Sequence, residues 1–148
     1  MLGNLQRVDA SSTYAPVAAT SSIRILITLA ARYQRHIYKT DIRAAFLNAE
    51  CPADKPVFIR PPYGTDYPAD IVPRLRRALY GLRVSPRLWN DEMTDRLLRL
   101  GFTRSDRDPS VYFQRSSTQH RRLVAILVTW VDDLLVCFLD DTTEGAML

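Results

Sequence analysis

The chain of 148 residues is poor in cysteine and in lysine. Its two cysteines, Cys51 and Cys137, lie far apart and match no metal-binding or redox spacing, so we expect free thiols in a reducing compartment. Lys39 and Lys55 are the only lysines among 20 basic residues, and the rest are arginines. Because arginine favours planar, bidentate contacts with phosphate and carboxylate groups, nucleic acid is a reasonable partner.

Segments that would enter a membrane are also lacking. Residues 1–10 show no basic start followed by an apolar stretch, so we expect no signal peptide. The apolar run over residues 123–138 is too short to span a bilayer, and it contains two aspartates. We therefore expect an intracellular protein with no membrane partner, and the sequence does not distinguish cytoplasm from nucleus.

Apolar periodicity predicts two helices. One covers residues 22–35, where Thr20, Ser21 and Ser22 offer N-caps. The other begins at Ser85 and is closed by Gly101.

Short apolar runs predict the strands, and prolines stop the second of them. The predicted strands cover residues 36–41, 56–62, 111–115, 121–130 and 134–138. A turn or short helix is expected over residues 42–48, a connection over 102–109 and a polar turn over 116–120. The whole pattern predicts an α+β fold, an antiparallel sheet with helices on one face.

The sequence WVDDLLV, residues 130–136, places two adjacent carboxylates, Asp132 and Asp133, within the most apolar segment. Burying an unpaired carboxylate is costly, so the pair requires an explanation. Asp41 ends the first predicted strand. If these strands are neighbours, the three carboxylates converge and favour a divalent cation such as Mg²⁺. The alternative is that the aspartates are ordinary solvated turn residues.

Four blocks carry a resemblance to a known family. They are TYAPVAATSSIRILITLAARY (13–33), TDIRAAFLNAECPADKPVFIRPPYG (40–64), RLRRALYGLRVSPRLWNDEMTDRLLRLGFTRSDRDPSVYF (74–113) and LVTWVDDLLV (127–136). In order and spacing they resemble the reverse transcriptases of copia-type long-terminal-repeat retrotransposons. The resemblance covers most of the chain.

This resemblance implies a polymerase palm with part of the fingers and no thumb over residues 13–140. Residues 1–12 would then be a poorly defined N-terminal segment and residues 141–148 a tail. The implied activity is RNA-directed DNA synthesis by two-metal nucleotidyl transfer with Mg²⁺ or Mn²⁺. The implied partners are an RNA/DNA template-primer and a deoxynucleoside triphosphate. The missing polyprotein regions, thumb and ribonuclease H, are expected to be required.

The resemblance also implies roles for individual residues. Asp41 and Asp132 would bind metal, and Asp133 would complete the catalytic set with a less direct part. Phe46 would exclude a ribose 2′-hydroxyl, unless it is a plain core residue. The other implied contacts are Ile42, Tyr80 and Gly81 with the nucleotide, and Arg83, Arg87 and Trp130 with nucleic acid.

Alternatives from the residues themselves stay open. Gly81 also suits a plain turn, and the arginines of residues 74–107 also suit a solvated helix face that acidic neighbours partly neutralise. Two positions depart from the family pattern, because Trp130 replaces the usual Tyr and Val84 the usual Gln. An alternative function is therefore a degenerate retrotransposon remnant that at most binds nucleic acid.

Overall fold

The computed structural model describes residues 13–68, 70–116 and 122–140. Its helices are α1 (Thr20–Arg32) and α2 (Ser85–Arg99), with a short 3-10 helix at Ala45–Asn48. Its strands are β1 (Ile37–Asp41), β2 (Phe102–Arg104), β3 (Val111–Arg115), β4 (Leu123–Trp130) and β5 (Asp133–Phe138). The predicted segments 1–12 and 141–148, and most of the predicted turn 116–120, lie outside the described residues.

The five strands form one antiparallel sheet in the order β1-β5-β4-β3-β2. The last strand of the chain thus lies between the first strand and β4. The central strand, β4, is the most apolar, and every one of its residues from Val124 to Thr129 is buried. A strand that is apolar on both faces is stable only when both faces are covered. The sheet and its helices confirm the predicted α+β class.

Helix α1 covers one face of this sheet. Its buried Leu26 and Ala30 share a core with sheet residues that alternate along the strands. The buried sheet members of that core are Val111, Ile126, Val128 and Cys137.

Helix α2 contacts the opposite face. Tyr112 alternates with Val111, which faces α1, so its side chain points to the other side of the sheet. There the Tyr112 hydroxyl lies 2.8 Å from Thr94 Oγ1 of α2. The prediction of helices on one face is therefore wrong. The sequence of each helix shows an apolar stripe, but the local sequence pattern does not determine which face of the sheet that stripe covers.

The described residues divide into two compact units. Residues 15–43 and 93–140 form the unit that contains the sheet, whereas residues 13–14 and 44–92 form the other. In this second unit, backbone pairing is limited to the isolated bridges Glu50↔Arg77 and Phe58↔Arg74. The strand predicted over residues 56–62 is therefore reduced to one bridge, because prolines at both ends remove backbone donors.

Strand β2 is a strand that the sequence did not predict. Residues 102–109 were expected to form a connection, but Phe102–Arg104 pairs with β3. Gly101 makes the reversal from α2 at a φ of 84°, where its missing Cβ avoids strain. Three residues are too few for a period-two pattern to be recognised.

The N-terminus of α1 is stabilised from a distant part of the chain. The helix begins after Ala19, which offers no capping side chain, so the predicted caps Thr20, Ser21 and Ser22 are wrong. Instead Asp108 Oδ2 accepts hydrogen bonds from the Ala19 N–H at 2.9 Å and the Ser22 hydroxyl at 2.6 Å.

These contacts also change the acidity of Asp108. Partial burial alone would raise the pKa of its carboxyl. The hydrogen bonds from Ser22, from Ala19 and from the Ser110 N–H outweigh burial and hold the pKa below its ordinary value of 3.8.

Cys51 and Cys137 are buried and unbridged, which confirms the prediction of free thiols. Among the described residues, no helix has both the length and the apolarity needed to cross a membrane.

We predict that Asp108→Ala lowers the free energy of unfolding at neutral pH by about 1–2 kcal/mol, because the α1 N-terminus loses its acceptor. Because the pKa of Asp108 is lower in the folded than in the unfolded chain, its carboxylate contributes stability above pH 3.8, and that contribution is lost as the pH falls. The difference in unfolding free energy between the wild type and Asp108→Ala should therefore become smaller in acid. Urea unfolding measures it, with the exposed Asp106→Ala as control. Equal losses in both variants would contradict the capping role.

Candidate active site

Strand pairing brings the predicted carboxylates to one end of the sheet. In the pairing of β1 with β5, Asp41 lies opposite Asp133, and in the pairing of β4 with β5, Trp130 also lies opposite Asp133. One step beyond β1, the Ile42 N–H donates a hydrogen bond of 2.9 Å to the Asp132 carbonyl oxygen. The neighbouring strands required by the sequence argument are therefore present.

The β4–β5 hairpin explains how two aspartates fit into an apolar segment. Its loop consists of Val131 and Asp132, and Asp133 is the first residue of β5. Val131 has a φ of 56°, and a positive φ at the first of two loop residues is typical of the primed turns of tight hairpins. Asp132 and Asp133 are half-buried and Asp41 is exposed, so all three carboxylates reach solvent where the strands end.

Lys39 lies beside the candidate site, and the sequence did not single it out. Its Nζ lies 3.0 Å from Asp133 Oδ1. The hydrogen bond and the charge of Asp133 raise the pKa of Lys39, and the charges of Asp41 and Asp132 add to that shift. One ammonium therefore lies within electrostatic reach of all three carboxylates. Its position two residues before Asp41, on the same strand face, was the available signal.

Among the described residues, the three carboxylates do not by themselves form a metal site. In the described part of the chain, no group of three or more His, Cys, Asp or Glu side chains is arranged to hold a metal ion. Asp133 is engaged by Lys39, which leaves Asp41 and Asp132. Magnesium commonly uses one or two carboxylates together with substrate phosphates and water. The available donors match that mode of binding.

Two of the predicted nucleotide-binding residues contact each other in the unit that contains the 3-10 helix. The ring centroids of Phe46 and Tyr80 are 4.6 Å apart with an interplanar angle of 44°. Phe46 lies on the 3-10 helix and is half-buried, whereas the Tyr80 side chain is 57 % exposed. A tilted pair at this distance is attractive and restricts both rings. The structure therefore gives Phe46 a partner that fixes its orientation.

Gly81 follows this pair at a φ of 91°. A Cβ built there would meet no atom within 4 Å. The glycine is thus required by the backbone conformation, as the turn interpretation expects, and not by crowding within the chain.

The predicted nucleic-acid contacts differ in their surroundings. Arg83 is exposed near the start of α2, and Trp130 is 47 % exposed at the end of β4. Arg87 Nε lies 2.7 Å from Asp91 Oδ2, one helical turn further along α2. This pair matches the solvated helix face considered as an alternative, and both side chains stay partly exposed. The contacts of these three residues with nucleic acid remain predictions.

Comparison with protein families identifies what this arrangement is similar to. A family model described as reverse transcriptase (RNA-dependent DNA polymerase) matches residues 3–144. The match therefore includes every candidate site residue from Asp41 to Asp133. No solved structure matches the chain.

Several curated relatives are polyproteins of transposons. The chain is 34 % identical over 130 residues to the retrovirus-related Pol polyprotein from transposon RE2 of Arabidopsis thaliana, which covers 87 % of the chain and 9 % of the relative. For the corresponding polyprotein from transposon RE1, the identity is 33 % over 91 % of the chain and 9 % of the relative. The polyprotein from transposon TNT 1-94 of Nicotiana tabacum is 28 % identical over 87 % of the chain and 10 % of its own length. The chain thus spans about a tenth of these relatives.

We predict that Val131→Gly raises the free energy of unfolding by about 1 kcal/mol, because a β-branched residue is strained at positive φ and glycine is not. The matched control is Val72→Gly, at an exposed valine without positive φ, which should lower stability by about 0.5–1 kcal/mol. Thermal melting of both variants tests the turn geometry. A loss of stability in Val131→Gly as large as that in the control would contradict it.

Proposed function

Because the chain belongs to the reverse transcriptase (RNA-dependent DNA polymerase) family, we propose that it supplies the palm and part of the fingers of a copia-type retrotransposon RNA-directed DNA polymerase. The observation that carries this proposal is the pairing of Asp41 opposite Asp133, with Asp132 in the adjoining turn. The proposed reaction is nucleotidyl transfer to the 3′-hydroxyl of a primer.

In this proposal Asp41 and Asp132 hold divalent cations, Mg²⁺ or Mn²⁺. When bound, the cations supply charge that stabilises the attacking and leaving oxygens of the phosphoryl transfer. The protein's own part is to keep two carboxylates accessible at the strand ends. Lys39 pairs with Asp133 and offsets part of the repulsion among the three negative charges. Asp133 thus contributes less directly than the other two.

Phe46 and Tyr80 are assigned to the deoxynucleoside triphosphate, with Ile42 and Gly81 as further contacts. A rigid ring excludes an added hydroxyl sterically, and the contact between Phe46 and Tyr80 supports such rigidity. We therefore assign Phe46 the discrimination between deoxyribose and ribose.

The template-primer is assigned to Arg83, Arg87 and Trp130. Arginine binds phosphate in a bidentate manner, and an exposed indole offers a surface on which a base or sugar can pack. We propose that further regions of the polyprotein, a thumb and a ribonuclease H, contribute to productive duplex binding.

A second candidate function is nucleic-acid binding without chemistry. Trp130 favours it, because this larger side chain replaces the family's usual tyrosine and lies opposite Asp133. Val84 favours it as well, since it cannot make the hydrogen bonds of the usual glutamine.

Primer extension separates the two candidates. On a homopolymer RNA template with a DNA primer and Mg²⁺ or Mn²⁺, we expect template-dependent synthesis by the wild type. Asp41→Asn and Asp132→Asn should each reduce it by about 100-fold or more, since metal charge stabilisation is worth several kcal/mol. Asp133→Asn should reduce it less. The control is Asp95→Asn, at an exposed carboxylate of α2, which should retain the activity.

Equal extension by the wild type and Asp132→Asn would refute the metal-dependent mechanism. No extension by a chain that melts cooperatively would favour the second candidate.

A further inference from the structure

One face of the unit that contains residues 44–92 carries exposed aromatic and basic side chains to which the proposed active site assigns no role. The segments 57–59 and 73–75 run antiparallel as a short two-stranded ribbon. The Ile59 N–H donates to the Pro73 oxygen at 3.0 Å, and the Leu75 N–H donates to the Val57 oxygen at 2.8 Å. Phe58 and Arg74 lie opposite each other between these two hydrogen bonds.

Burial alternates along both segments of this ribbon. Val57, Ile59 and Leu75 are half-buried, whereas Phe58 and Arg74 are exposed. Phe58 itself is 56 % exposed, although a phenylalanine of the interior would lie on the half-buried side. The same alternation places two further exposed arginines on the outer side, so we define the ribbon face as Phe58, Arg60, Arg74 and Arg76.

The charge of the ribbon face is not neutralised within the described residues. Arg60, Arg74 and Arg76 form no ion pair in the part of the chain that the structure describes. Residues 55–77 contain five basic side chains against two acidic ones, Asp66 and Asp70. The exposed ring of Phe58 thus shares its face with arginines that have no carboxylate partner among the described residues.

We propose that the ribbon face binds single-stranded nucleic acid. Phe58 stacks on an unpaired base, and the flanking arginines contact the phosphates on either side of it. Aromatic rings set among basic side chains bind single-stranded nucleic acid, because every base has a face that can stack on a ring and every phosphodiester linkage carries a negative charge. The choice of nucleic acid as partner rests on the proposed function, and the placement of the site rests on the ribbon alone.

The ring favours a single strand over a duplex. In a duplex the faces of the bases are covered by stacking with their neighbours, and only phosphates and base edges are accessible. An exposed phenylalanine would add little to duplex binding. The ribbon face is therefore suited to an unpaired template rather than to the paired product.

Removing the ring tests the proposal most directly. Binding of a fluorescein-labelled oligouridylate to the full chain is followed by fluorescence anisotropy, without divalent cation or nucleotide. We expect Phe58→Leu to raise Kd by about tenfold, because stacking carries much of the binding. Phe58→Tyr should retain binding because it keeps the ring. The control is Tyr33→Leu, at an aromatic residue of α1's C-terminus that is also 56 % exposed, and it should bind as the wild type does.

The arginines are tested by the salt dependence of the same binding. The double variant Arg60→Gln/Arg74→Gln should lower the slope of log K against log salt by about 1.4, because each phosphate contact of a single strand contributes about 0.7. The charge-matched control, Arg24→Gln/Arg32→Gln, removes two exposed arginines of α1 and should leave the slope unchanged.

Failure of this proposal can be told apart from failure of the polymerase function. Phe58→Leu binding within twofold of wild type, with both proteins folded by circular dichroism, would overturn it. An equal loss in Tyr33→Leu, or an equal effect of Phe58→Leu on an RNA hairpin duplex, would overturn it too. Because no metal or nucleotide is present, the binding result does not depend on whether the chain extends primers.

Discussion

The antiparallel pairing of β5 with β1 and with β4 at one sheet end is the constraint on which the candidate site depends. Asp41, Asp132 and Asp133 meet there because β5 lies between β1 and β4. Two features of the fold accommodate these three negative charges. The tight hairpin turn brings the negative charges to solvent, and Lys39 supplies one positive charge within reach of all three. A solvated, partly compensated cluster can exist without a bound cation.

Much of the fold follows from local sequence patterns, and the parts that do not follow depend on distant contacts. The two helices and the strands ending at Asp41 and beginning near Leu134 have clear apolar periods, and the structure confirms them. The cap of α1 could not be predicted, because Asp108 lies 89 residues beyond Ala19 in sequence. The side of the sheet that α2 covers is likewise a property of packing. The sequence of α2 alone does not determine that side.

The position of the candidate site was predictable from the sequence, whereas its side-chain contacts were less so. Placing Asp41 and the Asp-Asp pair at strand ends predicted that they lie at one end of the sheet, and the strand pairing confirms that position. The contact between Phe46 and Tyr80 was not predicted, because Tyr80 lies 34 positions after Phe46 and no period relates the two rings. The ion pair of Lys39 was missed although its spacing from Asp41 was readable. An exposed lysine beside a carboxylate is common, and most such pairs contribute little.

The central claim is that Asp41 and Asp132 are the carboxylates that hold a divalent cation, while Asp133 is held by Lys39. Titration calorimetry of Mn²⁺ into the full chain, with a deoxynucleoside triphosphate present, tests it without requiring catalysis. We expect weaker Mn²⁺ binding in Asp41→Asn and Asp132→Asn, and binding close to that of the wild type in the exposed control Asp95→Asn. The same Mn²⁺ affinity in all four proteins would contradict it.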